Sequence, residues 1–377
     1  MNLRRTRAIA RKEALHILRD RNSLIMALAL PFVLLLLFGY ALSLDVDRIP
    51  TWIADADESP ASRDLIARIR GSRFFDIQGV ANQPAVVQQK IDHDECLLGF
   101  SIPRGFARDL EAGREVSVQL LLDGSDSNTA SIALNYAEAL MQIHALELQV
   151  QAQNSRMGRR LAPPIDARLR VWYNSDLKSK NYIVPGLIAV IMMIIAAMLT
   201  SLTIAREWET GTMEQLLSTP VRPAELLFGK LSAYFVLGLA DMIIAIVSGV
   251  LIFDVPLRGN PLFLVLSGCL FLFGALAWGV LLSSMVRSQL LAYQLGAVTS
   301  FLPAFLLSGF IYAVENMPLP IQVVTYIVPA RYFITLLKGI YLKGVGVQVM
   351  FLEVLFLAGY AVVVCWAATR NLRQKLA

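Results

Sequence analysis

Charged residues, cysteine and histidine are all scarce in this chain. Only 17% of its 377 residues are charged and 56% are hydrophobic, with three cysteines and three histidines. Cys269 and Cys365 fall inside long apolar runs and Cys96 stands alone outside them, so no intramolecular disulfide is expected. His93 and His144 have no nucleophile–base constellation around them, and we expect no catalytic residue. A polytopic membrane enzyme is therefore a weak interpretation.

A nucleotide-binding loop is also missing. No G-x-x-x-x-G-K-[ST] occurs, and the nearest match, Gly229-Lys230, is followed by Leu231 and has Ala224 in place of the first glycine. We therefore expect this chain to bind no cofactor. Basic residues beside the apolar runs account for the formal net charge of +5, so no nucleic-acid partner is expected.

Two clusters contain metal-ligand residue types but lack the spacing of a metal site. Residues 92–96 (DHDEC) are consecutive, whereas zinc ligands usually come in separated pairs. Residues 123–128 (DGSDSN) have a misplaced glycine for a calcium loop, and no glutamate follows at the needed offset. We interpret both as turns and expect no metal site.

Long apolar runs predict a polytopic α-helical membrane protein. About 20 apolar residues are needed for a helix to cross a hydrocarbon core of roughly 30 Å. Two of the runs contain one acid each, Asp241 and Glu353. The six predicted transmembrane helices are 22–44, 181–205, 231–253, 259–286, 288–314 and 348–369.

Short basic segments predict the orientation of these helices. Arginines crowd residues 1–21, Arg287 lies between the fourth and fifth helices, and Arg370 and Arg373 lie in the tail. Six helices place all of them on one side, which the positive-inside rule assigns to the cytoplasm together with both termini. The predicted domains are an amphipathic helix (1–22), the first transmembrane helix (23–44), an external domain (45–180) and the remaining five transmembrane helices (181–377).

The N-terminal helix carries an apolar stripe at Leu3, Ala10, Ala14 and Ile17, with arginines on the other faces that can reach lipid phosphates. A topology signal is the alternative interpretation.

The external domain is predicted to be an inserted α/β fold. Strand patterns at 49–54, 74–79, 97–102 and 116–122 alternate with helix patterns at 59–69, 85–91 and 128–157. Ser59 followed by Pro60 is typical of a helix start.

A polar island at 206–220 (REWETGTMEQLLSTP) separates the second and third predicted transmembrane helices. Gly211 breaks the preceding helix, and Thr212 with Gln215 fits a capping box. Glu214 suits the positive end of the helix dipole, and Pro220 stops the helix after about two turns. The pattern predicts a short acidic helix between two membrane helices, which another protein can contact and displace.

Asp241 lies near the middle of the third predicted helix. An acid there costs about 2.5 to 3.5 kcal/mol on insertion scales, so it must face protein or water. Structural hydrogen bonding and transport chemistry both remain open for it. Gln294 and Thr299 in the fifth helix are further polar residues that could line a substrate path.

Prolines interrupt the apolar pieces between 308 and 346. These pieces are too short or broken to span, which predicts re-entrant external helices. Two irregular short spans are the alternative.

Four segments together resemble the type-2 ATP-binding-cassette (ABC) permeases. They are the N-terminal basic helix, REWETGTMEQLLSTPVRP, YNSDLKSKNYIVPGLIAVIM and LSGFIYAVENMPLPIQVVTYIVPARYFITLLKGIYLKG. The stretch IPRGFARDLEAGREVSVQLLLDGSDSNTA is similar to the bacterial branch with a large periplasmic domain after the first helix. This resemblance covers essentially the whole chain.

The resemblance implies a permease subunit of an ABC exporter in the bacterial inner membrane. ATP and Mg²⁺ would bind a separate cytoplasmic ATPase, and substrate would leave between two permease subunits, identical or related. The substrate would be hydrophobic or amphipathic, such as a drug or a lipid, and a periplasmic adaptor protein and membrane lipid are further expected partners. The implied ATPase-coupling residues are Arg206, Glu207, Glu209, Gly211, Thr212, Glu214, Gln215, Leu216, Leu217 and Pro220. The alternative is a proton-coupled secondary transporter that uses Asp241.

Overall fold

The computed structural model describes residues 2–19, 21–41, 48–157, 172–174 and 178–376. The chain divides into two compact units. One unit combines Met1–Leu44 with Arg170–Ala377, and the other is Asp45–Leu169. The predicted domain boundary at residues 44 and 45 lies outside the described residues.

Helices make up nearly all of the first unit, whereas the second mixes helices with strands. A 3₁₀ turn (Val314–Asn316) and a π-helical segment (Gly339–Lys343) occur in the first unit. In chain order the elements are α1 (Leu3–Arg19), α2 (Arg21–Ala41), β1 (Ile49–Asp55), α3 (Pro60–Gly71), β2 (Phe75–Ala81), α4 (Pro84–Asp92), β3 (Leu98–Ile102), α5 (Phe106–Glu111), β4 (Gln119–Leu122), α6 (Ser127–Met157), α7 (Ser179–Glu209), α8 (Thr212–Leu217), α9 (Pro223–Leu251), α10 (Pro261–Met285), α11 (Gln289–Leu306), α12 (Leu319–Thr325), α13 (Pro329–Lys338) and α14 (Phe351–Leu376).

Five described helices are long and apolar enough to cross a membrane, namely α7, α9, α10, α11 and α14. A sixth span results if α12 and α13, which meet at an angle of 81°, are counted together. α2 contains a shorter apolar stretch, Ala27–Ala41, where the first transmembrane helix is predicted. The chain is therefore a mostly helical protein of the polytopic membrane type.

One predicted span limit is wrong, and one helix extends beyond its predicted span. α11 ends at Leu306 rather than at 314, and the residues after it form turns. α9 begins at Pro223, well before 231, because proline suits a first helical position and Glu225 accepts a hydrogen bond from the Arg222 amide at 3.1 Å. The early start makes the polar segment between α7 and α9 short.

α7 is the central helix of the first unit and is buried over most of its length. It packs closely on α10 because small residues face each other. A side chain added at Gly279 would place its Cβ 2.1 Å from the Thr200 hydroxyl and 2.4 Å from the Ala197 carbonyl. Small residues of this kind let membrane helices approach closely where no hydrophobic force drives them together.

α1 packs on the rest of the protein through a different face from the predicted apolar stripe. Leu3 is 75% exposed, and the residues that the helix buries are Ile9 and Glu13. A carboxylate therefore occupies the face of α1 that is buried within the protein. A buried acid needs a partner, which the neighbouring helix α9 supplies.

The second unit is a four-stranded sheet with strand order β2-β1-β3-β4. β1 pairs in parallel with β2 and β3, and β4 adds antiparallel to β3. Ser59 caps α3, with reciprocal bonds to Ser62 at 3.0 Å each, where the sequence predicts a helix start. The helix α5 was not predicted; Gly105, at φ 79°, begins it.

Candidate functional site

The candidate site is the junction that joins α7 to α9, residues 206–225, with the helix α8 in its middle. α7 runs through Glu207 to Glu209, and Gly211 then reverses the chain at φ 73°, a value that glycine adopts without strain. Glu207 therefore belongs to α7 and not to the short helix. α8 has six residues, which agrees with the predicted short helix of about two turns.

The predicted capping box is wrong. Gly211 occupies the N-cap position of α8, and no side chain caps the helix. The Thr212 hydroxyl instead donates to the Glu207 carbonyl at 3.4 Å and lies 3.1 Å from the Thr210 hydroxyl. Because Thr212 is already the first helical residue, its hydroxyl cannot reach the amides that a capping residue satisfies.

α8 separates an inner from an outer face. Met213 is completely buried and Leu216 is half-buried, whereas Glu214 and Gln215 are exposed. Met213 holds the helix against the membrane unit. The two polar side chains are free for contact with another protein.

Next to this helix lies an ion cluster, which comprises the buried residues Glu13, Glu207 and Lys230 and the more exposed Lys12. Lys230 is 1% exposed, and its Nζ lies 2.7 Å from Glu13 Oε1 and 2.9 Å from Glu207 Oε1. Lys12 Nζ donates to the same Glu207 oxygen at 3.0 Å. The cluster ties α1, α7 and α9 together at one point, and its two lysines balance its two carboxylates.

Further contacts fix α1 on the start of α9. The Asn2 amide donates to Glu225 Oε1 at 2.6 Å, and the Arg5 guanidinium donates to the Pro220 carbonyl. A Cβ added at Gly229 would lie 2.7 Å from Ile9, so the two helices touch there. α1 therefore braces the junction on the α9 side.

On its α7 side, the junction is fastened to the start of α11. Glu209 Oε2 accepts from the Gln289 amide at 2.7 Å, and Arg206 Nε donates to the Gln289 side chain at 3.3 Å. The Arg287 guanidinium lies 4.9 Å from the centre of the Trp208 ring. A displacement of α8 would thus be passed to α1, α7, α9 and α11.

Asp241, Gln294 and Thr299 are not brought together by hydrogen bonds. Asp241 is 5% exposed, and neither of its carboxylate oxygens bonds a described residue. Thr299 accepts from the Trp278 indole at 3.2 Å, which gives it a structural partner. Gln294 is exposed on α11. The structure thus assigns one of the three, Thr299, a bonding role within the helix bundle.

A cavity of about 550 Å³ opens beside the ion cluster, with lining residues from α1, α2, α7, α9 and α11. Along α7 its lining changes from apolar, at Ile195 and Leu199, to polar, at Thr203 and Arg206. It therefore has the form of an amphipathic binding site.

Glu13 was not predicted from the sequence as a site residue. Lys230 was noted only because the sequence around it does not match a nucleotide-binding loop. A signal was present, because Ile9 and Glu13 lie four residues apart on one helix face and Lys230 directly precedes a long apolar run. An acid and a base in such positions each need a partner.

No group of three or more His, Cys, Asp or Glu side chains suited to a metal ion occurs among the described residues. Within 92–96, Glu95 pairs with Lys90 and Cys96 is buried.

Residues 21–370 match the ABC-2 family transporter proteins, and the chain belongs to this family of ABC transporter permeases. It is 37% identical over 375 residues to the probable multidrug ABC transporter permease YbhS of Escherichia coli (strain K12), covering 98% of each chain. It is 30% identical over 345 residues to the probable multidrug ABC transporter permease YbhR of the same strain, covering 91% of each. The inner membrane transport permease YhhJ, also of that strain, is 26% identical over 317 residues and 82% of this chain.

The resemblance to the type-2 ABC permeases is thereby confirmed, whereas the bacterial branch with a periplasmic domain stays a prediction. Family membership makes the chain a multi-pass membrane permease, and it implies an ABC ATPase partner and dimerisation. The proton-coupled secondary transporter is not favoured.

Proposed function

We propose that this chain is the permease subunit of an ATP-driven exporter in a bacterial inner membrane, with both termini in the cytoplasm. A separate cytoplasmic protein would bind ATP and Mg²⁺ and hydrolyse the nucleotide. The observation that carries this proposal is the exposed outer face of α8, Glu214 and Gln215, on a junction fastened to four helices.

The ATPase would contact the junction through this outer face. Met213 is buried and the Arg5 guanidinium bonds the Pro220 carbonyl, so α8 resists movement relative to its own subunit. A push on Glu214 would therefore move the junction and its helices together, since packed elements shift as units rather than bend continuously. The ATPase contact would also include the backbone of α8 and its N-cap, at Gly211, Thr212 and Leu217. The movement would be transmitted to the helices by Arg206, Glu207 and Glu209.

Substrate would leave between two copies of the permease, or between this chain and a related one. Two of the relatives are named as multidrug permeases, which supports a hydrophobic or amphipathic substrate. Gln294, exposed on α11, suits such a path better than Asp241, which is enclosed among apolar side chains. The α/β domain would lie in the periplasm and contact an adaptor protein.

The test is co-purification of the ATPase with the tagged full-length chain and with Glu214→Lys. Charge reversal at an exposed acid should abolish recovery of the ATPase, since a partner surface complementary to Glu214 would then face a like charge. Glu138→Lys, an equally exposed change in the α/β domain, is the matched control and should leave recovery unchanged.

Equal recovery of the ATPase with native chain and Glu214→Lys would show that the partner does not contact α8. Loss of recovery with both variants would point to a general defect and would also contradict the assignment.

A further inference from the structure

The cavity beside the ion cluster divides into an apolar part and a polar part along α7. Ile195, Met198, Leu199 and Leu202 line its first part, and Leu24 of α2 adds to the apolar wall. The polar lining follows about one turn later on α7. The whole cavity has a volume of about 550 Å³, which lies within the range typical of small-molecule sites. Such a cavity fits a ligand with an apolar chain and a polar head group.

The polar part carries an excess of positive charge. The ion cluster is balanced within itself, since Lys12 and Lys230 offset Glu13 and Glu207. Arg206 also lines the cavity, and its guanidinium pairs with no carboxylate of the described residues. The one hydrogen bond from this guanidinium to a described residue runs from Nε to Gln289 Oε1. The two terminal nitrogens of its guanidinium are thus available to an anion. A planar guanidinium is well suited to a phosphate, which it can bind in a bidentate manner.

One acceptor in the same part of the cavity is unused. Glu207 is 6% exposed, and its Oε2 accepts no hydrogen bond from any described residue, although Oε1 accepts from two lysines. A buried carboxylate oxygen without a donor costs free energy. A head group that carries an ammonium or a hydroxyl beside its phosphate would satisfy it.

We infer that this cavity binds a membrane phospholipid, with its phosphate at Arg206, its donor group at Glu207 and an acyl chain between α2 and α7. The site lies within one subunit, and binding there requires neither ATP nor a partner protein. Its occupant is either a lipid resident in the bilayer or a phosphate-bearing amphiphile taken up for transport, which share this chemistry.

The test uses the full-length chain, purified without its partners in a neutral detergent, and native mass spectrometry. The probe is lysophosphatidylethanolamine, and a monoacylglycerol of equal chain length serves as the probe without phosphate. We expect one probe molecule per chain, with at least tenfold weaker binding of the monoacylglycerol. Arg206→Gln should weaken probe binding at least tenfold, and Leu202→Trp should block it by filling the apolar wall.

Arg287→Gln is the matched control, because Arg287 is an exposed arginine of the same region that does not line the cavity. It should bind the probe like the native chain. Lipid already bound before the probe is added identifies a resident phospholipid, whereas an empty site filled by the probe identifies an exchangeable amphiphile, as a transported ligand must be. Equal binding of both probes, or unchanged binding by Arg206→Gln, would overturn the inference. These binding results do not depend on whether the Glu214→Lys variant still co-purifies with the ATPase.

Discussion

Lys230 is the residue on which the junction depends most. Its side chain is 1% exposed and lies among groups of α1 and α7. A buried ammonium persists only if acids and further acceptors complete its hydrogen bonds, because it loses its hydration on burial. Here Glu13, Glu207 and the Thr203 carbonyl, at 3.4 Å, complete them.

Lys230→Met should destabilise the protein strongly. It leaves two buried carboxylates with Lys12 as their remaining cation, and breaking a buried pair by removing one partner typically costs about 3–5 kcal/mol. The expected result is a lower midpoint of thermal unfolding for the purified chain in detergent. Replacing Glu13 and Glu207 by glutamine in the same protein should recover part of the loss.

Lys12→Met is the control for this change. The Lys12 side chain is 55% exposed, and exposed ion pairs contribute at most about 1 kcal/mol. Equal unfolding midpoints for Lys230→Met and Lys12→Met would contradict the conclusion that the buried Lys230 contributes more to stability than the exposed Lys12.

Among the secondary-structure elements, the crossing of α1 over α9 at Gly229 decides how the junction is braced. A Cβ there would lie 2.7 Å from Ile9 and 3.1 Å from the Thr6 carbonyl, which is a backbone atom and cannot rotate away. The helices would have to separate. Their separation would strain the bond between Lys230, the next residue, and Glu13 of α1.

Gly229→Ala should therefore lower the stability of the protein. Overpacking of a tight contact typically costs about 1–3 kcal/mol, measured here as a lower midpoint of thermal unfolding. Gly359→Ala on α14 is the matched control, because nothing lies within 4 Å of a Cβ at that position. Alanine favours helix over glycine, so the control should be neutral or slightly stabilised. The same midpoint for both variants would rule out a tight crossing at Gly229.

For the whole molecule, the division into two compact units is the main feature. Each unit has its own cluster of buried apolar side chains. Units with separate cores can in principle fold separately. We therefore expect the helices to pack without the α/β unit.

Replacing residues 45–169 by a Gly/Ser linker should therefore leave the helical unit folded. A linker of about 20 residues reaches roughly 25 Å, enough flexible chain to avoid forcing α2 and α7 apart. The shortened protein should elute as a single species from size-exclusion chromatography in detergent and still recover the ATPase. Adding Lys230→Met to it is the sensitivity control and should lower its unfolding midpoint. Aggregation of the shortened protein itself would show that the helices depend on the α/β unit.

Several features of the fold could be predicted because each depends on residues close together in sequence. The apolar runs indicate where helices can cross a membrane, since a helix satisfies its own backbone hydrogen bonds within one segment. Ser59 and Pro60 mark the start of α3 for the same local reason. The prediction of a capping box at Thr212 was nevertheless wrong, because Gly211 occupies the N-cap position and Thr212 is the first residue of the helix.

The sequence by itself therefore determined the class of this protein, its apolar helices and the position of the polar junction, all of which depend on nearest neighbours along the chain. Only the tertiary structure decided that Glu207 turns inward to Lys230 and that Glu214 stays outside. It alone paired Lys230 with Glu13, 217 positions away, and formed the cavity beside them. A charge shows in the sequence, whereas the partner that makes its burial tolerable is fixed by packing between helices distant in the chain.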